Sequence, residues 1–133
     1  MSSGPGSWRS AWLPVGLWLL VIFGASTIPN LQVPEVGPQF ADKLAHVGEY
    51  GVLGLLFARA RRPARAGWAA ALAGALGGLV VGGLDEIYQR GTPGRDTSLL
   101  DVAADVCGAA LGAWAWSRWA ARVQKPRPRD GEA

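Results

Sequence analysis

Two adjacent carboxylates and an amide, Asp85, Glu86 and Gln89, close a long run of almost purely apolar residues, and a second acidic pair, Asp101 and Asp105, opens the next run. A charge beside hydrocarbon is costly. Such groups pair with one another, meet cations or line a wet cavity, and they mark a functional site by default. Upstream lies a third polar group, Asp42, Lys43, His46 and Glu49. His46 is the single histidine of the chain, and imidazole changes charge near neutral pH. Two readings of it stand open. It packs between helices with a carboxylate satisfying it, or it acts as general base or metal ligand with Asp42 or Glu49, one turn away, orienting it. In the second reading Glu86 is the acid partner, and Glu49, Gln89 and Asp101 complete the catalytic set. Arg95 presents a planar fork suited to a carboxylate or phosphate, with Lys43 as a second cation for an anionic substrate. The plainer reading of Arg95 is a salt bridge to Glu86, Asp96 or Asp101.

The acids of this region outnumber the nearby cations Lys43, Arg90 and Arg95. A divalent cation such as Mg²⁺ is therefore the candidate cofactor, with Asp42, His46, Glu86, Asp101 and Asp105 as its ligands. Oxygen donors with one imidazole suit Mg²⁺ or Mn²⁺ better than a structural zinc site. No run matches a known metal signature, and there is no Gly-rich phosphate loop, nucleophile elbow or redox Cys pair. The lone cysteine, Cys107, sits in an apolar run and reads as a small core residue. Tyr50 and Tyr88 read as interface anchors rather than proton donors.

The elements that must position these groups follow from the apolar runs. About 17 to 25 apolar residues cross a bilayer core. Four runs, over residues 11–28, 42–60, 66–89 and 98–119, predict an all-α integral membrane bundle of four transmembrane helices. Residues 1–10 form a disordered N-terminus and residues 120–133 a basic cytoplasmic tail. The first run contains Pro14 and few polar groups, so it serves as a packing wall. Its rival reading is a cleavable signal with a weak small-residue site at Gly24-Ala25-Ser26. In the second, Asp42 is placed as N-cap, and Asp42, His46 and Glu49 fall within about 60° of one another on a helix. In the third, Gly74, Gly78 and Gly82 stand four apart, and small residues let a neighbouring helix approach closely. The same stripe runs on into the Asp85–Gln89 group, so close packing and polar residues share a face. Glu86 and Asp85 lie about 100° apart. Glu86 is placed toward the bundle with Gln89, and Asp85 toward the loop or a neighbour. Pro93 and Gly94 mark a turn, Ser98 caps the fourth helix with Asp101 in the capping-box position, and Asp101, Asp105, Gly108 and Gly112 share a stripe.

Seven Trp and 19 Gly suit a membrane chain of 133 residues. The chain carries a net charge of +3, but its Arg residues lie beside apolar runs rather than along a groove, which excludes nucleic acid as the partner. With four spans, ten of the thirteen Lys and Arg fall on the side of both termini and the 59–65 loop. The positive-inside rule sets that side in the cytoplasm and turns the polar ends of the helices outward.

Taken together, Asp42-Lys43 with His46 and Glu49-Tyr50, Asp85-Glu86-x-x-Gln89, Pro93-Gly94-Arg95, Ser98 with Asp101, and Gly108 with Gly112 resemble the VanZ-like family. The resemblance covers roughly residues 29–119. It implies a small bacterial protein of the cytoplasmic membrane, in a family whose founding member is associated with low-level resistance to the glycopeptide teicoplanin. One position departs: where the family pattern tends to carry Asn, this chain has Asp105, an added negative charge. Three functions follow. The first is an envelope protein that lowers susceptibility to a lipoglycopeptide such as teicoplanin. The second is a membrane enzyme acting on a lipid- or polyisoprenyl-linked cell-wall substrate. The third is a structural or accessory subunit whose polar residues only assemble helices. The partners are the lipid bilayer, a lipid-linked cell-wall precursor or the lipoglycopeptide, and a second copy of the chain where a transport pathway is required.

Overall fold

The computed structural model describes residues 5–29, 41–61, 67–95 and 97–123. The described residues form four helices and no strand: α1 (Pro5–Ser26), α2 (Ala41–Arg61), α3 (Gly67–Gln89) and α4 (Leu99–Val123). Several expectations concern segments outside the described residues. These are the first four residues, the Pro-rich 30–40 stretch, Arg62 and Arg65 of the basic loop, Asp96, and the tail with Lys125, Arg127 and Arg129.

α1 starts at Pro5 and takes up residues 5–10 of the stretch expected to be disordered. Proline suits a first helical turn, where its missing N–H is not needed. Ala41 precedes Asp42 in α2, so Asp42 lies inside the first turn rather than at the cap. A carboxylate there still favours the positive end of the helix dipole. α3 ends in a chain of turn hydrogen bonds, Gly91 N–H to Tyr88 O at 3.1 Å and Thr92 N–H to Gln89 O at 2.9 Å. Gly94 has φ of 73°, a left-handed conformation that glycine adopts without steric cost. Ser98 caps α4 as expected, its Oγ accepting from Leu100 N–H at 3.1 Å.

α4 packs along both α2 and α3, while α1 leans on α2 and touches α3 over a shorter stretch. The contacts around α4 are made by backbone and by glycine and alanine. A Cβ added to Gly54 would strike the Ala109 backbone, one added to Gly112 would strike Gly51, and one added to Gly78 would lie 2.8 Å from the Ala109 Cβ. Large apolar side chains point the other way: Leu72, Leu76, Leu79, Leu84 and Ile87 of α3 are all exposed. Asp85, Glu86, Gln89, Asp101 and Asp105 are buried. A chain with leucine outside and carboxylates inside is built for an apolar surrounding, because large exposed apolar faces are unstable in water.

Among the described residues, three helices are long and apolar enough to cross a membrane: Trp8–Ser26 of α1, and α3 and α4 in full. α2 does not reach that standard, so three of the four expected spans are apolar enough by themselves. Its length of 21 residues suffices, but Asp42, Lys43, Glu49, Arg59 and Arg61 dilute its apolar content. Cys107 is exposed, not a core residue. α4 buries Asp101, Asp105, Gly108, Ala109 and Ala113, and Cys107 lies off that stripe.

Candidate functional site

The alternation of helix direction brings four ends together: the C-terminal ends of α1 and α3 and the N-terminal ends of α2 and α4. Two hydrogen-bonded groups form there.

The first group joins α2 to α4. His46 Nδ1 lies 2.8 Å from Asp105 Oδ1, with the Asp105 side chain only 1% exposed. The orienting carboxylate of His46 is thus supplied by α4, not by Asp42 or Glu49 on its own helix. An ionised Asp105 requires the proton on Nδ1, which leaves Nε2 as the basic nitrogen. Lys43 Nζ donates to Asp42 at 2.8 Å and also to Asp101. This cation, expected to hold an anionic substrate, is engaged by two carboxylates.

The second group joins α3 to α1. Ser26 Oγ donates to Asp85 Oδ1 at 2.5 Å, and Gln89 Nε2 donates to Asp85 Oδ2 at 2.7 Å and to Ser26 Oγ at 3.3 Å. Gln89 therefore accompanies Asp85, not Glu86, and the neighbour that Asp85 faces is α1. The turn after α3 folds over the end of α1. Arg95 Nη2 donates to Ala25 O at 2.9 Å, and Thr92 Oγ1 donates to Ser26 O at 3.1 Å. These donors satisfy carbonyls that a helix C-terminus leaves open. α1 is thus more than a packing wall, since Ser26, 2% exposed, belongs to the buried polar group. The sequence reading missed Ser26 because small residues at the end of an apolar run also resemble a cleavage site.

Glu86 stands between the two groups. Its Oε2 accepts the Ser98 N–H at 2.9 Å. In a capping box that N–H is bound by the acid three residues into the same helix. Here α3 supplies the acid, and Asp101 turns to Lys43 instead. The other oxygen, Glu86 Oε1, is buried and has no hydrogen-bond partner among the described residues, and the same holds for the Tyr50 hydroxyl. Tyr50 is completely buried, not an interface anchor, whereas Tyr88 is half exposed and meets Phe23 edge to face. Tyr50 follows Glu49 on α2, one turn after His46. Glu49 is half-buried, and its backbone carbonyl accepts Trp18 Nε1 at 2.9 Å.

The five expected metal ligands are divided among separate contacts. Among the described residues no three His, Cys, Asp or Glu side chains are grouped to hold a metal ion. What the arrangement offers is an imidazole oriented through Nδ1, a buried carboxylate with one oxygen unpartnered among the described residues, and a buried phenol.

Fold and site together define a helical membrane protein with a small-residue core and a polar end. Residues 7–120 match the model of the VanZ/LLP1 family, and the chain belongs to that family. No curated protein and no solved structure matches the chain.

Proposed function

We propose that this VanZ-like protein sits in the bacterial cytoplasmic membrane with four spans, α2 crossing in the shelter of its neighbours, and with both termini cytoplasmic. The polar end then faces outward, where it lowers susceptibility to teicoplanin-type lipoglycopeptides by acting on the antibiotic or on the lipid-linked cell-wall precursor it seeks. Support for the four-span reading comes from α2 itself. Its polar groups Lys43 and His46 are paired with acids of α4, and polar residues in membrane helices turn to the bundle interior. Ten of thirteen cations on one side support the orientation.

The observation that carries the functional reading is the His46–Asp105 pair beside the open polar atoms of Glu86 and Tyr50. Buried polar atoms without partners are costly, and a bound ligand group would satisfy them. In the enzymatic form of this reading, His46 Nε2 takes a proton from a substrate hydroxyl or water, and Asp105 holds the ring. A second reading has its own observation. Glu86 binds the N-terminus of α4 and Asp85 binds Ser26 of α1, so part of the acidic group assembles helices.

Antibiotic susceptibility in a host lacking the protein tests the proposal, with wild type, His46→Ala and Glu86→Gln compared at equal membrane level by immunoblot. The expected outcome is raised teicoplanin tolerance with wild type and none with His46→Ala at the same protein level. Tolerance unchanged by wild type would overturn the resistance function. A loss of tolerance matched by a loss of protein would support the assembly reading instead.

A further inference from the structure

The end of the bundle away from the polar site carries the opposite charge. There α1 and α3 begin and α2 and α4 end. Arg9, Arg59, Arg61, Arg118 and Arg122 are exposed at this end, and among the described residues no acid lies there. None of these arginines pairs with a carboxylate among the described residues. The described acids gather at the other end, where Asp85, Glu86, Asp101 and Asp105 are buried. The molecule turns these cations outward and folds those acids inward. Exposed tryptophans stand among the arginines, Trp8 and Trp68 on α1 and α3, Trp114 and Trp119 on α4. Some members of the patch are held in place. Trp114 and Arg118 lie across the first turn of α3, each 3.3 Å from where a Cβ of Gly67 would stand. Arg61 sits over the Phe57 ring at 5.5 Å.

What covers this surface follows from the order of residues along each outer face. On α4, Leu111, Trp114, Arg118 and Arg122 are exposed and fall within about 80° of one another. Toward the helix end, apolar side chains give way to an aromatic ring and then to cations. On α1, Leu17, Leu13 and Arg9 run from apolar to cationic, and on α3, Leu76, Leu72 and Trp68 run from apolar to aromatic. Trp rings settle where hydrocarbon meets headgroups. Arg118 stands about 6 Å beyond Trp114 along the helix, and the headgroup layer is roughly 5–8 Å deep. The guanidinium therefore falls at the level of lipid phosphates. An acidic protein face would call for cations without this gradient beneath them.

We propose that this arginine–tryptophan end binds anionic phospholipid, gathering negatively charged headgroups in preference to zwitterionic ones. The inference rests on the membrane reading but not on antibiotic resistance. The full chain is reconstituted in vesicles of phosphatidylglycerol and phosphatidylcholine, with bromine on the acyl chains of one lipid or the other. Bromine quenches Trp fluorescence at close range, and six of the seven Trp stand in the helix halves nearest this end. The two quenching curves give the relative affinity of the lipids. The expected result is a severalfold preference for phosphatidylglycerol at low salt. It falls toward equality at about 1 M salt, where charges are screened within about 3 Å. Combining Arg59→Gln, Arg61→Gln, Arg118→Gln and Arg122→Gln cuts the preference by at least about half, since cations beside an anionic leaflet each contribute. Arg90→Gln, at the other end, leaves it unchanged. Helicity is checked by circular dichroism. Equal quenching by the two lipids in wild type, or an undiminished preference in the helical fourfold variant, would overturn the inference. Equal quenching together with binding of polyglutamate would assign the surface to an acidic protein instead. Absence of quenching by either lipid would remove the membrane reading on which the inference stands.

Discussion

α4 and α1 are held by different physics. α4 lies between α2 and α3 with backbone against backbone, Gly108 on Val47, Gly112 on Gly51 and Gly54 on Ala109. α1 meets the bundle through larger groups: Trp12 edge to face with Phe57 at 5.7 Å, Trp18 donating to Glu49 O, and the buried Ile22. Its polar clamp at Ser26 adds a fixed point at one end. Without a hydrophobic driving force in lipid, helices associate by close packing and hydrogen bonds. Around α4 the close packing runs on along the helix, and the hydrogen bonds gather at its N-terminal end. At α1 they act at the end and at isolated aromatic contacts, and a cavity lined by Gly77 fills the interval. The difference separates a tightly interlocked scaffold from a helix held at a few fixed points.

Breaking the α4 interlock should have the largest effect. Gly112→Leu drives a side chain into Gly51 of α2, and overpacking costs about 1–3 kcal/mol where the backbone can shift. Here backbone meets backbone, so the cost reaches or exceeds the upper end. The expected outcome is loss of folded protein, read as membrane level by immunoblot and helicity in detergent. The clamp on α1 comes next. Asp85→Ala leaves Ser26 and Gln89 without their shared acceptor, and a buried polar group left unsatisfied costs about 1–3 kcal/mol. A lowered unfolding midpoint is expected. α1 should also become accessible to protease near Ser26 while the α2–α4 interlock persists. Gly77 and Gly78 sharpen the comparison at the smallest scale. Gly78→Leu meets Ala109 and the Asp105 carbonyl and destabilises. Gly77→Leu meets open space and should change stability by no more than about 1 kcal/mol, in the stabilising direction through helix propensity. Thermal unfolding of the two variants side by side reads the difference. Equal effects would mean that the cavity beside α3 is not open.

Much of the scaffold was legible because helix periodicity is local. The Gly74, Gly78, Gly82 stripe and its continuation into the acidic group could be read at 100° per residue, and α3 buries that face. The Asp101, Asp105, Gly108 stripe of α4 is buried in the same way. Ser98 was legible as a cap from its type and place. What could not be read were the partners. His46 has two acids one turn away on its own helix, yet it bonds Asp105, 59 residues on. Asp101 stands in the capping-box position, yet Glu86 closes the box. Ser26 looked like the end of an apolar run or part of a cleavage site. Tyr50 and Cys107 were misjudged for a related reason: residue type says little about which side of a membrane helix is buried when the outside is also apolar.

The sequence by itself determined the number of helices, the shared face of glycine and carboxylate on α3, and the crowding of polar residues at particular helix ends. Each depends on dihedral geometry and spacing within one segment, which the order of residues specifies directly. Only the tertiary structure decided that Asp105 holds His46, that α3 caps α4, that α1 is tied through Ser26, and that a cavity opens beside Gly77. Those outcomes depend on the crossing and depth of helices far apart in the chain. They are set by where missing Cβ atoms let backbones touch, and no local period encodes that.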